Sequence, residues 1–153
     1  MKLLVIDDAD AVPYIFQMSI GRMWVKAGGT AETVPEVLIA RNWADALRLF
    51  ETHVTDLIGV VTDALIEIEA LNRAPDEQHC GPAFYWVVRR FSADLPVVIY
   101  SMGGLNEYAF KAVGMDVMPP PDEGCWRFLT KGMTISDLSW LEPMVAFAQR
   151  RAL

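Results

Sequence analysis

Cysteine, long apolar runs and clustered basic residues are all scarce in this chain of 153 residues. The two cysteines, Cys80 and Cys125, lie in Gly/Pro-rich segments without metal-ligand spacing, which predicts free thiols rather than a disulfide framework or a zinc site. No apolar stretch has the about 18 residues of a membrane span, and the first apolar run is too short for a signal peptide. We therefore expect a soluble, cytoplasmic protein that does not contact a membrane.

Positive charge is also in short supply, because the net charge is -7 and no Lys/Arg-rich arm occurs. A nucleic-acid surface would need a basic patch, so the composition argues against direct DNA binding. With 53% apolar residues the chain can bury a substantial core. We expect one domain over residues 1–153, with no separate output domain.

Strand-like and helix-like segments alternate along the chain. Apolar runs predict five strands, at residues 2–6, 36–40, 57–62, 97–100 and 126–130. Helical spacing and breaker residues predict helices at about 12–26, 42–52, 82–91, 104–114 and 139–153. Five consecutive βα units predict an α/β fold with a doubly wound parallel sheet.

Local signals define several of the predicted boundaries. Asn42 is expected to cap the second helix, and Ser139 with Glu142 has the capping-box spacing for the last one. The proline-rich segment 118–124 is predicted to be irregular, because proline cannot continue a helix or a central strand.

Polar residues follow four of the apolar runs: Asp7 and Asp8 after the first, Asp63 after the third, Ser101 after the fourth and Lys131 after the fifth. The carboxyl ends of parallel strands meet at one edge of a sheet, so we expect these side chains to converge. Carboxylates, a hydroxyl and an ammonium group at one edge indicate a site for a divalent cation and a phosphoryl group.

These segments together resemble the receiver domains of response regulators in two-component signalling. The matching pieces occur in the family's order at 4–8 (LVIDD), 60–63 (VVTD), 95–101 (LPVVIYS) and 128–131 (FLTK). The resemblance covers essentially the whole chain. It implies a flavodoxin-like fold with a five-stranded parallel sheet in the order 2-1-3-4-5 and helices on both faces.

The resemblance also implies a Mg²⁺ site. Asp8 and Asp63 would bind the ion directly, Asp7 would act through water, and the backbone carbonyl of Leu65 would be a further ligand. Mg²⁺ prefers one or two carboxylates together with waters and phosphate oxygens, which agrees with this set.

The remaining roles implied by the resemblance concern the phosphoryl group. Asp63 would accept it from a histidine kinase or phosphotransfer protein, and Lys131 would pair with its oxygens. Ser101 would donate a hydrogen bond to it, and Phe128 would be the aromatic switch residue or an ordinary core aromatic. The signal would pass to a downstream protein, and a homodimer stays open.

The chain departs from the family pattern at several places. Gly132 follows the lysine where the family usually has proline, and Met102 replaces a small residue beside Ser101. The segments 28–35, 67–81 and 116–124 are longer than in the family. They indicate either specific protein contacts or loop length that costs little, since doubling a flexible loop costs about 0.6 kcal/mol.

Two alternatives stay open. Asp8 and Asp10 also resemble the first motif of haloacid-dehalogenase-type phosphatases, with Asp8 as nucleophile and Asp10 as general acid/base. That family's final acidic motif is missing after Lys131, and Asp63 would have no role in it. The second alternative is a pseudo-receiver that binds protein without phosphorylation, although such a protein would normally have lost part of the acidic set.

Overall fold

The computed structural model describes residues 1–9, 11–64, 80–101, 115–130 and 136–153, apart from the side chains of Val12, Cys80 and Asp116. In these segments five parallel strands form one sheet in the order β2-β1-β3-β4-β5. The strands are β1 (Lys2–Ile6), β2 (Glu36–Ala40), β3 (Leu57–Asp63), β4 (Val97–Ser101) and β5 (Trp126–Thr130). The predicted flavodoxin-like sheet is confirmed, and each strand matches its predicted range to within one residue.

Helices surround this sheet. They are α1 (Ala11–Lys26), α2 (Trp43–His53), α3 (Cys80–Phe91), α4 (Pro121–Gly124) and α5 (Glu142–Arg151), with 3-10 turns at Ala31–Thr33 and Met115–Val117. The helix predicted at 104–114 and most of the connection 64–81 lie outside the described residues. Among the helices that are described, none is both long and apolar enough to cross a membrane.

One face of the sheet is covered by α1 and α5. Phe16 of α1 packs edge to face against Tyr100 of β4 and against Trp140, which lies just before α5. The side chain of Met144 of α5 packs directly on Gly59 of β3. A Cβ atom at position 59 would lie only 2.6 Å from the Met144 sulfur. Glycine at position 59 therefore lets the last helix approach the sheet.

The opposite face is covered by α2 and α3. Gly81 of α3 faces Ile99, which neighbours Tyr100 on β4, and successive strand side chains point to opposite faces. The two helices contact each other through Phe50 and Phe84, whose ring centroids are 5.6 Å apart. Helices on both faces, as predicted, leave the carboxyl edge of the sheet as the place where polar residues collect.

The register of the strands brings the polar strand ends level with one another. Ile6 of β1 pairs with Thr62 of β3, and Asp63 pairs with Tyr100 of β4. The backbone N–H of Asp7 still donates to the carbonyl of Ala40, at 3.0 Å, so β1 remains hydrogen-bonded at its acidic end. The backbone at this edge is thus fixed by the sheet itself.

The start of α2 confirms the predicted cap. Asn42 adopts an extended conformation, and its side-chain oxygen accepts the N–H of Asp45 at 2.8 Å. This hydrogen bond satisfies one of the N–H groups that the first helical turn leaves without a partner.

The prediction that 118–124 is irregular is wrong for its second half. Pro121 begins α4, where the fixed proline φ suits the first helical position, and the N–H of Gly124 donates to the carbonyl of Pro120 at 2.8 Å. Cys125 then ends the turn with a φ of 51°. Proline here initiates a helix instead of preventing one.

The predicted capping box of the last helix is also wrong. The N–H of Ser139 donates to the Asp137 carboxylate at 3.0 Å, which makes a turn before the helix begins. α5 starts three residues later, at Glu142, with Pro143 in its first turn as predicted. The Asp137 carboxylate therefore accepts a hydrogen bond in a turn that includes Ser139, and Ser139 does not cap the helix.

Arg89 of α3 connects the helix to the amino ends of β4 and β5. Its guanidinium group donates at 2.9–3.1 Å to four backbone carbonyls, those of Ser92, Leu95, Gly124 and Cys125. We call this group the Arg89 clamp. It joins the connection before β4 to the connection before β5.

We predict that Arg89→Met lowers the free energy of unfolding by about 2–4 kcal/mol, because it leaves several partly buried carbonyls without donors. The neighbouring Arg90 is exposed, so Arg90→Met is a matched control with an expected change within about 0.5 kcal/mol. Urea unfolding followed by circular dichroism measures both. Equal effects of the two substitutions would contradict a structural role for the clamp.

Candidate functional site

Three carboxylates converge at the carboxyl edge of the sheet. Asp7 and Asp8 follow β1, and Asp63 is the last residue of β3. One oxygen from each of the three lies within 4.8 Å of the others. We call this group the acidic cluster. Asp63 follows Asp8 by 55 positions in the sequence, and the adjacency of β1 and β3 in the sheet brings the three residues together.

Asp7 is the most buried member of the acidic cluster, with no exposed surface. One of its carboxylate oxygens accepts the N–H of Ala9 at 2.8 Å, and the other accepts the hydroxyl of Tyr100. A carboxylate removed from water needs donors of this kind, because burying a charge without partners is costly. These contacts hold the Asp7 side chain in one orientation.

Tyr100 reaches the acidic cluster from β4. Burial raises the pKa of its hydroxyl, and the hydrogen bond to Asp7 together with the negative charges of Asp7, Asp63 and Asp8 raises it further. The hydroxyl therefore keeps its proton at any physiological pH. It serves as a neutral hydrogen-bond donor to Asp7.

Asp63 is presented by a well-fixed strand end. The hydroxyl of Thr62 donates to the Asp63 carbonyl at 3.1 Å, and the N–H of Ala64 donates to the Tyr100 carbonyl at 2.9 Å. Asp63 is partly buried, while Asp8 is exposed at the mouth of the cluster. A reagent arriving from solvent meets Asp8 and Asp63 before it meets Asp7.

The other residues predicted for the site divide into two groups. Ser101, 5% exposed, ends β4 directly after Tyr100 and pairs with Thr130 of β5. Phe128 is partly buried on β5 opposite Ile99. The predicted site residues Leu65 and Lys131, with Asp10 of the phosphatase alternative and the departures Met102 and Gly132, lie outside the described residues.

The acidic cluster fits a magnesium ion. Ligands of one Mg²⁺ ion are about 3 Å apart when adjacent and about 4 Å apart when opposite. The three oxygens, all within 4.8 Å of one another, lie close enough together to approach these separations around one ion. Hard carboxylate oxygens are the ligands that Mg²⁺ prefers, and like charges at this distance repel each other until a cation offsets them. Asp7, Asp8 and Asp63 are the residues that would hold the ion.

Tyr100 is the site residue that sequence reasoning missed. In the sequence it is the last member of an apolar run, and this pattern predicts only a strand. A signal was present, because a buried tyrosine needs a hydrogen-bond partner for its hydroxyl and the next residue is the polar Ser101. Which acceptor it finds depends on how far the side chain reaches past β3, and the strand order alone does not show this.

A comparison with solved structures agrees with this fold. The chain is similar to a response regulator receiver domain protein from Clostridium thermocellum, with a TM-score of 0.55 and 20% identity, over 99% of this chain and 95% of that structure. No protein-family model matches the chain. A search of curated proteins finds no significant match either. The structural similarity shows a receiver fold over nearly the whole chain.

We predict that Mg²⁺ raises the melting temperature by about 3–6 °C at a concentration ten times its Kd, because the ion binds the folded state selectively. Asp8→Asn should abolish most of this gain, since it removes the exposed carboxylate of the acidic cluster. Without Mg²⁺ the same variant should melt no lower than the wild type, because one of three like charges is gone. Differential scanning fluorimetry measures both effects.

Asp56→Asn is the control for this experiment. Asp56 is exposed just before β3, at the end of the strand away from the acidic cluster. This variant should keep the full Mg²⁺-dependent gain. A wild-type melting temperature that does not change across millimolar Mg²⁺ would contradict the metal site.

Proposed function

We propose that the protein is a phosphorylatable signalling switch. It accepts a phosphoryl group on Asp63 from a histidine kinase or phosphotransfer protein in a Mg²⁺-dependent reaction, and it signals through contacts with a downstream protein. The observation that carries this proposal is the acidic cluster of Asp7, Asp8 and Asp63 at the carboxyl edge of a receiver fold. A cytoplasmic location belongs to the same proposal.

The proposed reaction takes place at the Asp63 carboxylate. One of its oxygens attacks the phosphorus of the donor, and the bond from phosphorus to the histidine nitrogen breaks as the imidazole leaves. The product is an aspartyl phosphate. Attack of water on the same phosphorus later releases inorganic phosphate and restores the carboxylate, so the chain catalyses only its own phosphorylation and dephosphorylation.

Charge is the main obstacle, because an anionic nucleophile must approach an anionic phosphoryl group. Mg²⁺ bound by the acidic cluster would supply positive charge that offsets this repulsion. In our proposal Asp8 and Asp63 are direct ligands with the Leu65 carbonyl. Asp7, whose two oxygens already accept hydrogen bonds from Ala9 and Tyr100, acts through water.

The proposed signal depends on residues at the ends of β4 and β5. Lys131 pairs with the phosphoryl oxygens, and Ser101 donates a hydrogen bond to one of them. Added charge and acceptor oxygens at Asp63 then draw the end of β4 toward the site. Phe128, three residues before Lys131, is the aromatic residue that we propose changes position with Ser101.

The phosphatase alternative uses Asp8 as nucleophile and Asp10 as general acid/base. It gives no role to Asp63, although Asp63 lies in the acidic cluster beside Asp8. A pseudo-receiver that binds protein without phosphorylation would need none of the three carboxylates. The convergence of all three favours the phosphorylatable switch over both alternatives.

We predict that acetyl phosphate with Mg²⁺ adds one phosphoryl group to Asp63, stable to acid and labile to base. Asp63→Asn should lose the modification completely, and Asp8→Asn should lose nearly all of it, because the nucleophile or a metal ligand is gone. Asp56→Asn should react like the wild type. Intact-protein mass spectrometry followed by borohydride trapping and peptide mapping locates the group.

Two outcomes of that experiment would contradict the proposal. Modification of Asp8 together with turnover of phosphate monoesters would establish the phosphatase alternative. A wild type that binds Mg²⁺ but never becomes phosphorylated, by acetyl phosphate or by a phosphorylated phosphotransfer protein, would establish the pseudo-receiver.

The switch itself can be tested with beryllofluoride, which mimics the phosphoryl group. We predict altered amide hydrogen exchange in residues 102–112 and in 119–126, the segment just before the strand that carries Phe128. Ser101→Ala should keep phosphorylation at Asp63 but weaken this distant change, because it removes only the hydrogen bond to the phosphoryl group. Ser19→Ala, in α1, is the matched control. Identical exchange with and without the bound analogue would contradict a conformational switch.

A further inference from the structure

The hydrogen bond from Tyr100 to Asp7 spans the middle of the sheet. Tyr100 is on β4 and Asp7 follows β1, and these strands are not neighbours because β3 lies between them. The side chain therefore passes over the end of β3, close to Asp63, with which Tyr100 is paired. The hydroxyl thus joins β4 to the acidic residue that follows β1, across the strand that carries Asp63.

The hydroxyl defines the orientation of the Asp7 carboxylate. The N–H of Ala9 holds one oxygen at 2.8 Å, and Tyr100 holds the other. Two donors on two oxygens fix both the position of the carboxyl group and its rotation. Asp7 cannot turn away from Asp8 and Asp63 without losing one of these donors.

The tyrosine ring is itself held in place. It packs edge to face against Phe16, with centroids 6.3 Å apart, and Phe16 packs in the same way against Trp140 at 5.6 Å. All three side chains are nearly or fully buried. A donor supported by a packed ring is already in position before any ion arrives, and this lowers the cost of binding.

We propose that Tyr100 is a positioning residue for the acidic cluster: its hydroxyl holds Asp7 in the orientation that receives a divalent cation and so sets the affinity for that cation. The inference rests on the proposed metal site and deepens it. A neutral donor suits this role, because a lysine at the same place would offset the charge of Asp7 and compete with the cation. A phenylalanine would fill the same space without holding the carboxylate.

The test compares Tyr100→Phe with Tyr85→Phe. Tyr85 is equally buried at 1% exposed but lies on α3, on the other face of the sheet. Calorimetric titration with Mg²⁺ should show a Kd raised about tenfold in Tyr100→Phe. Losses of this size are typical when a residue that hydrogen-bonds to a metal ligand is replaced. The Kd of Tyr85→Phe should stay within about twofold of the wild type, even where its melting temperature falls.

A second measurement uses the wild-type chain and does not depend on the stability of a variant. Tyrosines labelled with ¹³C at Cζ, assigned through Tyr→Phe changes at the other three tyrosines, report on each hydroxyl. Saturation with Mg²⁺ should shift the Tyr100 signal and leave that of Tyr85 unchanged. An unshifted Tyr100 signal at saturating Mg²⁺ would contradict a contact between this hydroxyl and a carboxylate that receives the cation.

The outcomes separate this inference from the proposed function. Mg²⁺ binding by the wild type with an unchanged Kd in Tyr100→Phe, or with an unshifted Tyr100 signal, would overturn the role of Tyr100 and leave the metal site intact. A wild type that binds no Mg²⁺ would overturn both. A raised Kd in Tyr100→Phe alone, together with the Tyr100 shift, would support the inference.

Discussion

The structure depends on holding a fully buried carboxylate, that of Asp7, at the end of an apolar strand. β1 has no polar residue between Lys2 and Asp7, so the side chains of this strand offer no donor to the charge. The N–H of Ala9 and the hydroxyl of Tyr100 provide what the strand does not. The acidic cluster can form because these donors stabilise the most buried of its charges, while Asp8 and Asp63 are more accessible to solvent.

The strand order converts this local arrangement into a site. β1 and β3 lie inside the sheet and are covered by helices on both faces, and at their carboxyl ends Asp8 is exposed and Asp63 partly exposed. The energy that fixes the backbone therefore comes from the apolar core, and the acidic side chains contribute repulsion that the core must offset. This repulsion lowers the stability of the folded state until a ligand compensates the charge. Cation binding to the acidic cluster would therefore be coupled to the stability of the fold.

Much of this could be predicted from the sequence, because buried parallel strands are continuous apolar runs and their bounds are easy to place. The acidic cluster could be predicted for the same reason, since its residues follow directly after those runs. The start of α5 could not, because Asp137 and Ser139 are both good turn formers and only the packing of the helix decides between them. Tyr100 could not be paired with Asp7, because the expected strand order puts β3 between their strands and does not show that the tyrosine reaches past it.

The two ends of the sheet differ, because the Arg89 clamp lies at the amino ends of β4 and β5 and the acidic cluster lies at the carboxyl edge. At the amino ends of β4 and β5 one guanidinium group holds four carbonyls from two connections, and one of these connections contains α4 in the segment 116–124. The end of this segment is therefore hydrogen-bonded to α3 through Arg89. Because the two connections are held together at that end, a displacement of the carboxyl ends of β4 and β5 that kept these four hydrogen bonds would pivot near Arg89.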